Sequence, residues 1–356
     1  PDVYRKTVKM LGIHDLALFT LCGRFVTDHS LASNTNLLNL KTRQWDQEML
    51  EIFSVDRAHL CDLVPAGSVC GKTSSELQRR TGIAEGPPVV TAGGDQQCAA
   101  LGLGVTSVGK LKCTTGTGSY LVAHVDAPVI DEKKRFLCKI GAIPGSYNLE
   151  AGMLTTGTVY RWFLEQFYGG ASGDARVEAA NQEVLTSPPG ANGALLLPYF
   201  EGSGAPYWNP RDTGLFYGLK LSTTRADMAR AVLEGIVLGM DENVSLFRQK
   251  LGTVSQICIS GGMTKFDAYN QLQADIYGSD VALYPNREST SLGAWISAAV
   301  VCGLYGSYDE AFRMVQPEGS EKIFSPAAEM HRFYAEHNQH RQKLYQAIQS
   351  LADEGV

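Results

Sequence analysis

The 356-residue chain is long enough for two domains of ordinary size or one large one. Hydrophobic residues at 44% and charged residues at 19% exclude a disordered chain. A balance of 31 Lys+Arg against 37 Asp+Glu, net −6, repels nucleic-acid backbones and anionic membrane surfaces overall, so neither is expected as a partner.

In chain order, residues 1–62 alternate short helical patterns (Tyr4 to Leu11, Ala17 to Leu21, Gln47 to Phe53) with turn chemistry. Val89-Val90-Thr91-Ala92 is a short apolar run of the kind a buried parallel strand needs. It ends in Gly93-Gly94-Asp95, and Gln96 to Leu103 has helical spacing. From Gly109 the period changes to two, which predicts antiparallel strands over 110–115, 119–125, 135–140 and 147–151. A helix over 155–167 follows, with Val159, Trp162, Phe163 and Phe167 on one face. Then come a strand over 194–198, a long helix over 224–251, a strand over 256–260, a helix over 264–277, a strand over 281–284 and a helix over 292–304. Ser325-Pro326 starts a last helix to about Leu351, with Phe333, Tyr334, Leu344 and Ile348 inward. The long helix carries Met228, Val232, Ile236, Met240 and Val244 as an i, i+4 stripe, and Thr224 with Asp227 forms a capping box at its start. A meander followed by alternating helices and strands is the succession of a ribonuclease-H-like α/β domain, a mixed sheet with flanking helices.

Eight cysteines, at 22, 61, 70, 98, 113, 138, 258 and 302, form no Cys-x-x-Cys pair and read as reduced, mostly buried thiols of a cytoplasmic protein. Residues 289–308 carry no charge, but Ser, Thr, Gly and Tyr interrupt them, so a buried helix is expected there rather than a membrane span. The start Pro1-Asp2-Val3-Tyr4 has no basic or apolar leader pattern, so no secretory signal is expected.

Three glycine turns stand where chemistry is possible. Asp95 follows Gly93-Gly94 at a strand-to-helix turn, where it either caps the helix or serves as a general base or metal-water ligand. The amide pair Gln96-Gln97 beside it suits a hydroxyl-rich substrate. Thr114-Thr115-Gly116-Thr117-Gly118-Ser119-Tyr120, between two strands, is either a hairpin turn or a phosphate cradle of backbone N–H and hydroxyl groups. Ser260-Gly261-Gly262-Met263-Thr264 is either a tight turn or a place where helix amides meet an anion or an adenosine lies on the backbone. His331, His337 and His340, on the exposed side of the last helix, lack the partners of a zinc site.

The stretch Gly214 to Glu234, GLFYGLKLSTTRADMARAVLE, satisfies at every position the C-terminal signature of the FGGY carbohydrate kinases, the family of glycerol kinase and xylulokinase, which the chain resembles. That resemblance implies the actin and hexokinase superfamily fold, with residues 1–104 as the end of the first domain and 105–356 as the second, nucleotide-binding one. It implies transfer of phosphate from ATP, with Mg²⁺, to a hydroxyl of a small sugar or polyol of glycerol or xylulose type, and a possible homodimer. By the same resemblance Asp95 is the general base across an interdomain cleft, and Gln96 and Tyr120 touch substrate. Gly116, Thr117 and Gly118 form a phosphate loop, Gly157 lies in the helix start near the nucleotide, and Gly261-Gly262 is the adenosine motif. Arg161 and Phe266 stand where the glycerol kinase branch has amides near the nucleotide. Gln96-Gln97 and Ala205 to Pro210 resemble that branch, whereas Ser222 to Asp227 resembles xylulokinases.

In the family an N-terminal hairpin carries Asp-x-Gly-Thr/Ser-Ser, which binds phosphate and Mg²⁺. No such motif precedes Gly93, so the family's N-terminal part is expected to be absent. This chain alone is then expected to be inactive, or to be a non-catalytic binding module.

Overall fold

The computed structural model describes residues 2–170, 172–286 and 288–353. Its centre is a seven-stranded mixed sheet built from β1 (Lys110–Thr115), β2 (Ser119–Val125), β3 (Leu137–Ile140), β4 (Tyr147–Met153), β5 (Gln256–Ser260), β6 (Asp280–Leu283) and β7 (Lys322–Phe324). The order across the sheet is β7-β6-β5-β1-β2-β4-β3. Short turns join β1 to β2 and β3 to β4, so these strands pair antiparallel, as does β4 with β2. β5 and β6 are reached through helices, and they run parallel to β1 and to each other.

Seven helices position the site: α1 (Asp95–Gly102), α2 (Gly157–Phe167), α3 (Gly173–Val184), α4 (Arg225–Leu251), α5 (Asp267–Tyr277), α6 (Ser289–Val301) and α7 (Ala328–Asp353). Side chains alternate across the sheet, so each face has its own core. Leu111, Cys113, Leu121, Ala123, Ile257 and Ile259 pack with residues of α2, α4 and α5. On the other face Cys258 and Ala282 pack with Leu101 of α1 and with Leu292 and Ile296 of α6, while Ala100 covers Val122. α4 is buried on most of its circumference; Val232, Ile236, Met240 and Val244 are fully enclosed and Met228 is half-buried. Its expected capping box is present, with Thr224 Oγ1 accepting from Asp227 N at 3.2 Å and Asp227 Oδ2 accepting from Thr224 N at 2.9 Å.

Several expectations need correction. Pro88–Val90 pairs antiparallel with Val69–Lys72 and not within a parallel sheet. Pro88 has no N–H to give a ladder, which confines this strand to an edge. Trp162 and Phe167 are 37% and 39% exposed and pack on one another at the surface, while Val159, Tyr160, Phe163 and Leu164 form the buried face of α2. Phe333 likewise stays outside, stacked on His337, whereas Tyr334 and Tyr345 point inward. The uncharged run 289–308 is broken at Val301, where α6 ends. Among the described residues no helix is long and apolar enough to cross a membrane, and all eight cysteines are free thiols.

Candidate active site

The Gly93-Gly94-Asp95 turn is fixed from below by Asp28. This carboxylate is fully buried and accepts from Ser30 N at 2.9 Å and from the hydroxyls of Ser30 and Thr91, with His14 Nε2 3.3 Å away. Burial alone would raise its pKa, but the hydrogen bonds from His14, Ser30 and Thr91 overcome that and hold the carboxyl below its ordinary value. Ser30 Oγ in turn accepts from Gly94 N at 2.8 Å. Gly93 takes φ +122°, a region open to glycine, and a Cβ there would lie 3.2 Å from Ser30 Oγ and 3.3 Å from Ala142. The N-cap of α1 is therefore Gly94, and Asp95, expected either to cap the helix or to act as a base, is its first residue. Its side chain is exposed, with Oδ1 accepting from Gln96 N at 2.7 Å.

Gln96 reaches down from α1 onto the sheet, where its Oε1 accepts from Lys112 Nζ. Lys112, Thr114 and Tyr120 share that face of the sheet, since Thr114 stands opposite Tyr120 and Lys112 opposite Val122. Tyr120 is half-buried and its ring lies over Gly152, where a Cβ would come within 2.8 Å of it. Asp95, Gln96 and Tyr120 thus belong to the α1 side of the sheet.

The tip of the β1–β2 hairpin, Gly116-Thr117-Gly118, is closed by Gly116 N donating to Gly118 O at 2.9 Å. Its carbonyls are drawn backwards: Gly116 O accepts from Gly157 N at 3.0 Å, and Thr117 O accepts from Thr156 N at 3.0 Å and from Thr158 Oγ1 at 3.1 Å. The start of α2 is consequently spent on the loop. Among the described residues neither Thr117 nor Gly118 gives its own N–H to any backbone carbonyl; Gly118 is buried, whereas Thr117 is exposed and lines the cavity, so the open donor of the tip is that of Thr117. Only glycine fits at 118 and 157: a Cβ on Gly118 would lie 2.6 Å from Met153 O, and one on Gly157 would collide with Gly116 O.

Behind the tip, on the opposite face of the sheet, lies a cavity of about 400 Å³. Gly116, Thr117, Gly157, Arg161, Gly262 and Phe266 line it together with Tyr160, Leu164, Asp174, Val177, Asn181, Leu233, Met263, Lys265 and Tyr269. Gly118 and Gly261 stand behind its wall; Gly261 has φ +102° and lies so close to Thr115 that a Cβ would strike the Thr115 carbonyl. Arg161 and Lys265 bring two cations to the cavity, and Tyr160 Oη donates to Asn181 Oδ1 at 2.8 Å. The helix expected from Thr264 begins instead at Asp267, after a 3₁₀ turn over Gly262–Lys265. Within that turn Thr264 N and Oγ1 both donate to Gly261 O. Gly262, with open space beside it, leaves bare backbone on the cavity wall.

The sequence pointed to no role for Lys112, Ser30 or Asp28. Lys110-Leu111-Lys112-Cys113 alternates like a strand with one wet face, and only the position of β1 in mid-sheet, under α1, makes Lys112 internal. Of the last-helix histidines, expected at the surface, His331 and His337 are half-buried, and His331 Nδ1 lies 3.0 Å from the Asp275 carbonyl. Among the described residues no group of three His, Cys, Asp or Glu side chains is arranged to hold a metal ion.

Two family models match the chain: the N-terminal domain of the FGGY family of carbohydrate kinases over residues 1–102, and its C-terminal domain over residues 111–302. The gluconokinase of Bacillus licheniformis is 32% identical over 94% of this chain, and the chain spans 66% of that relative's length. A ligand-bound xylulose kinase from Lactobacillus acidophilus superposes with a TM-score of 0.92 at 24% identity, over 100% of this chain and 71% of the other. The glycerol kinase of Plasmodium falciparum with ADP gives 0.84 at 25% identity, over 96% and 69%. The match over residues 1–102 does not bear out the expectation that the family's N-terminal part is absent, since the N-terminal domain is present. With it falls the ground for expecting an inactive chain, since a missing motif is a poorer guide to a domain than the whole pattern of its residues.

Proposed function

The chain belongs to the FGGY family of carbohydrate kinases, and on that premise we propose that it transfers the γ-phosphoryl group of ATP to a hydroxyl of a small sugar or polyol. The observation that carries this reading is the hairpin tip. Its exposed, unclaimed N–H at Thr117 stands between a nucleotide-sized cavity on one face of the sheet and Asp95 and Gln96 on the other.

In this reading ATP lies in the cavity, its base and ribose against the backbone at Gly262 and the ring of Phe266, with Arg161 and Lys265 near its negative charge. Its terminal phosphates follow the cavity to Gly116, Thr117 and Gly118, whose amides stabilise charge on the transferring group. The acceptor lies over Tyr120 and Gln96. Asp95 takes the proton of its hydroxyl as that oxygen attacks the γ-phosphorus in line, and the bond to the β,γ-bridging oxygen breaks to release ADP. Mg²⁺ carried on the ATP phosphates would neutralise their charge, leaving Asp95 free to act as the base. The acceptor named for each relative differs, which leaves D-gluconate, D-xylulose and glycerol as the first to try.

Asp95→Asn tests the assignment. A general base contributes about 10²- to 10⁴-fold, so kcat for the acceptor is expected to fall by about that factor while ADP affinity stays within about twofold. Turnover near that of the wild type in a coupled ADP-release assay would remove Asp95 from the role.

A further inference from the structure

We propose that Lys112 is a positioning residue for the acceptor: its buried amino group holds the side-chain carbonyl of Gln96, and so turns the Gln96 amide N–H₂ outward beside Asp95 to meet an acceptor oxygen. This rests on the reading of Asp95 and Gln96 given above.

Lys112 is 0% exposed in the middle of the sheet. Its cross-strand neighbours are Cys258 on one side and Val122 on the other, so it stands in a row of apolar side chains. The nearest carboxylate in that row, Glu150 beyond Val122, is bonded to Lys139 at 2.8 Å. Among the described residues the hydrogen-bond partner of Lys112 Nζ is Gln96 Oε1. An ammonium can only donate, so it selects the oxygen of the amide and forces the two N–H donors to the far side. Gln96 Nε2 has no acceptor among the described residues, and Gln96 is half-exposed.

The charge is a cost to the fold. Burial pushes the Lys112 amino group down to about 8, outweighing the pull of Cys113, Glu150 and Asp95. A folded-state value below the unfolded one means that stability rises as pH climbs from about 8 toward the ordinary lysine value, so at neutral pH the proton is carried against stability. An apolar side chain of similar length would serve packing at least as well. What the apolar side chain could not do is orient Gln96.

The test uses Lys112→Met, Gln96→Ala and their double variant in the full chain, with whichever of D-gluconate, D-xylulose or glycerol the wild type phosphorylates. Each single variant is expected to raise acceptor KM about tenfold and leave ATP KM within about twofold, and the double variant to be no worse than the worse single one. Lys112→Met is expected to melt no lower than the wild type. An unchanged acceptor KM in Lys112→Met, or effects that multiply in the double variant, would overturn the proposal, because a lysine acting through Gln96 has nothing to lose once Gln96 is gone. Should Lys112→Met fail to fold, Lys112→Gln keeps a donor and is expected to fall between wild type and Gln96→Ala in acceptor KM; a rise as large as that of Gln96→Ala is the contrary result. Absence of turnover of every acceptor by the wild type would sink the kinase reading and Lys112 with it, whereas a normal wild type with an indifferent Lys112→Met sinks Lys112 alone.

Discussion

Gly261 sits at φ +102° with its Cα against the Thr115 carbonyl, so any side chain at this position meets both an unfavourable backbone conformation and a backbone collision. Gly261→Ala is expected to cost about 2 kcal/mol or more, seen as a lower melting temperature, and to weaken ADP binding because the shift would propagate from Thr115 into Gly116. An alanine variant with wild-type melting and ADP affinity would show that the close approach is not what shapes the cavity. Gly261 was legible in the sequence as a turn residue, because a glycine doublet between an apolar run and a helical pattern marks a tight turn. The settings of Lys112 and Asp28 were not: they are made by segments far away in the chain, α1 over one, His14 and Thr91 around the other.

Asp95 inherits its place from how α1 is seated. α1 and α6 cross at bare backbone, Gly102 against the Ser289 carbonyl and Gly293 against the Cys98 carbonyl, with no room for a Cβ on either. Gly293→Val should therefore force α1 off α6 and tilt its first turn, lowering kcat for the acceptor about tenfold or more while ADP affinity, set on the opposite face, stays within about threefold. Equal losses in both would indicate general unfolding. The signature stretch from Gly214 to Glu234 works differently, since only Leu233 of it reaches the cavity. Asp227 accepts from Ser187 Oγ at 2.6 Å and Asn192 Nδ2 at 2.8 Å, and Glu234 Oε1 accepts from Gly190 N at 3.0 Å and Tyr334 Oη at 2.7 Å. The signature is thus a clamp that ties the start of α4 to neighbouring loops. Thr224→Ala should lower stability by about 1 kcal/mol without touching kinetics, measurable by denaturant titration beside the assay. The capping box was readable because it is local, with both partners three residues apart. The 3₁₀ turn before α5 was not, because the bond of Asn270 Nδ2 to Thr264 O and the contacts around Gly261 arise only when the strand and helix are already placed.

At the scale of the molecule, two buried carboxylates tie stability to pH. Burial acts to raise the pKa of Asp28 and of Asp227, but hydrogen bonds from His14, Ser30 and Thr91 in one case, and from Ser187, Thr224 and Asn192 in the other, leave both below the ordinary value. A depressed folded-state value means the contribution is complete above the unfolded value of about 4 and is lost as pH falls through the folded values. The melting temperature is expected to begin falling below about pH 4 for this reason, and one that holds steady down to pH 3 would contradict it. The central sheet was readable from the change of period at Gly109, whereas the expectation of a missing N-terminal part rested on one absent motif and is not borne out by the match over residues 1–102. The most direct test of the kinase assignment is ADP formation by the full chain with Mg²⁺-ATP, in the presence and absence of D-gluconate, D-xylulose and glycerol, with the product followed by phosphorus NMR. ADP release that depends on one of these acceptors, matched by an equal amount of a phosphomonoester, is expected; ADP release indifferent to every acceptor, or none at all, would refute the kinase assignment.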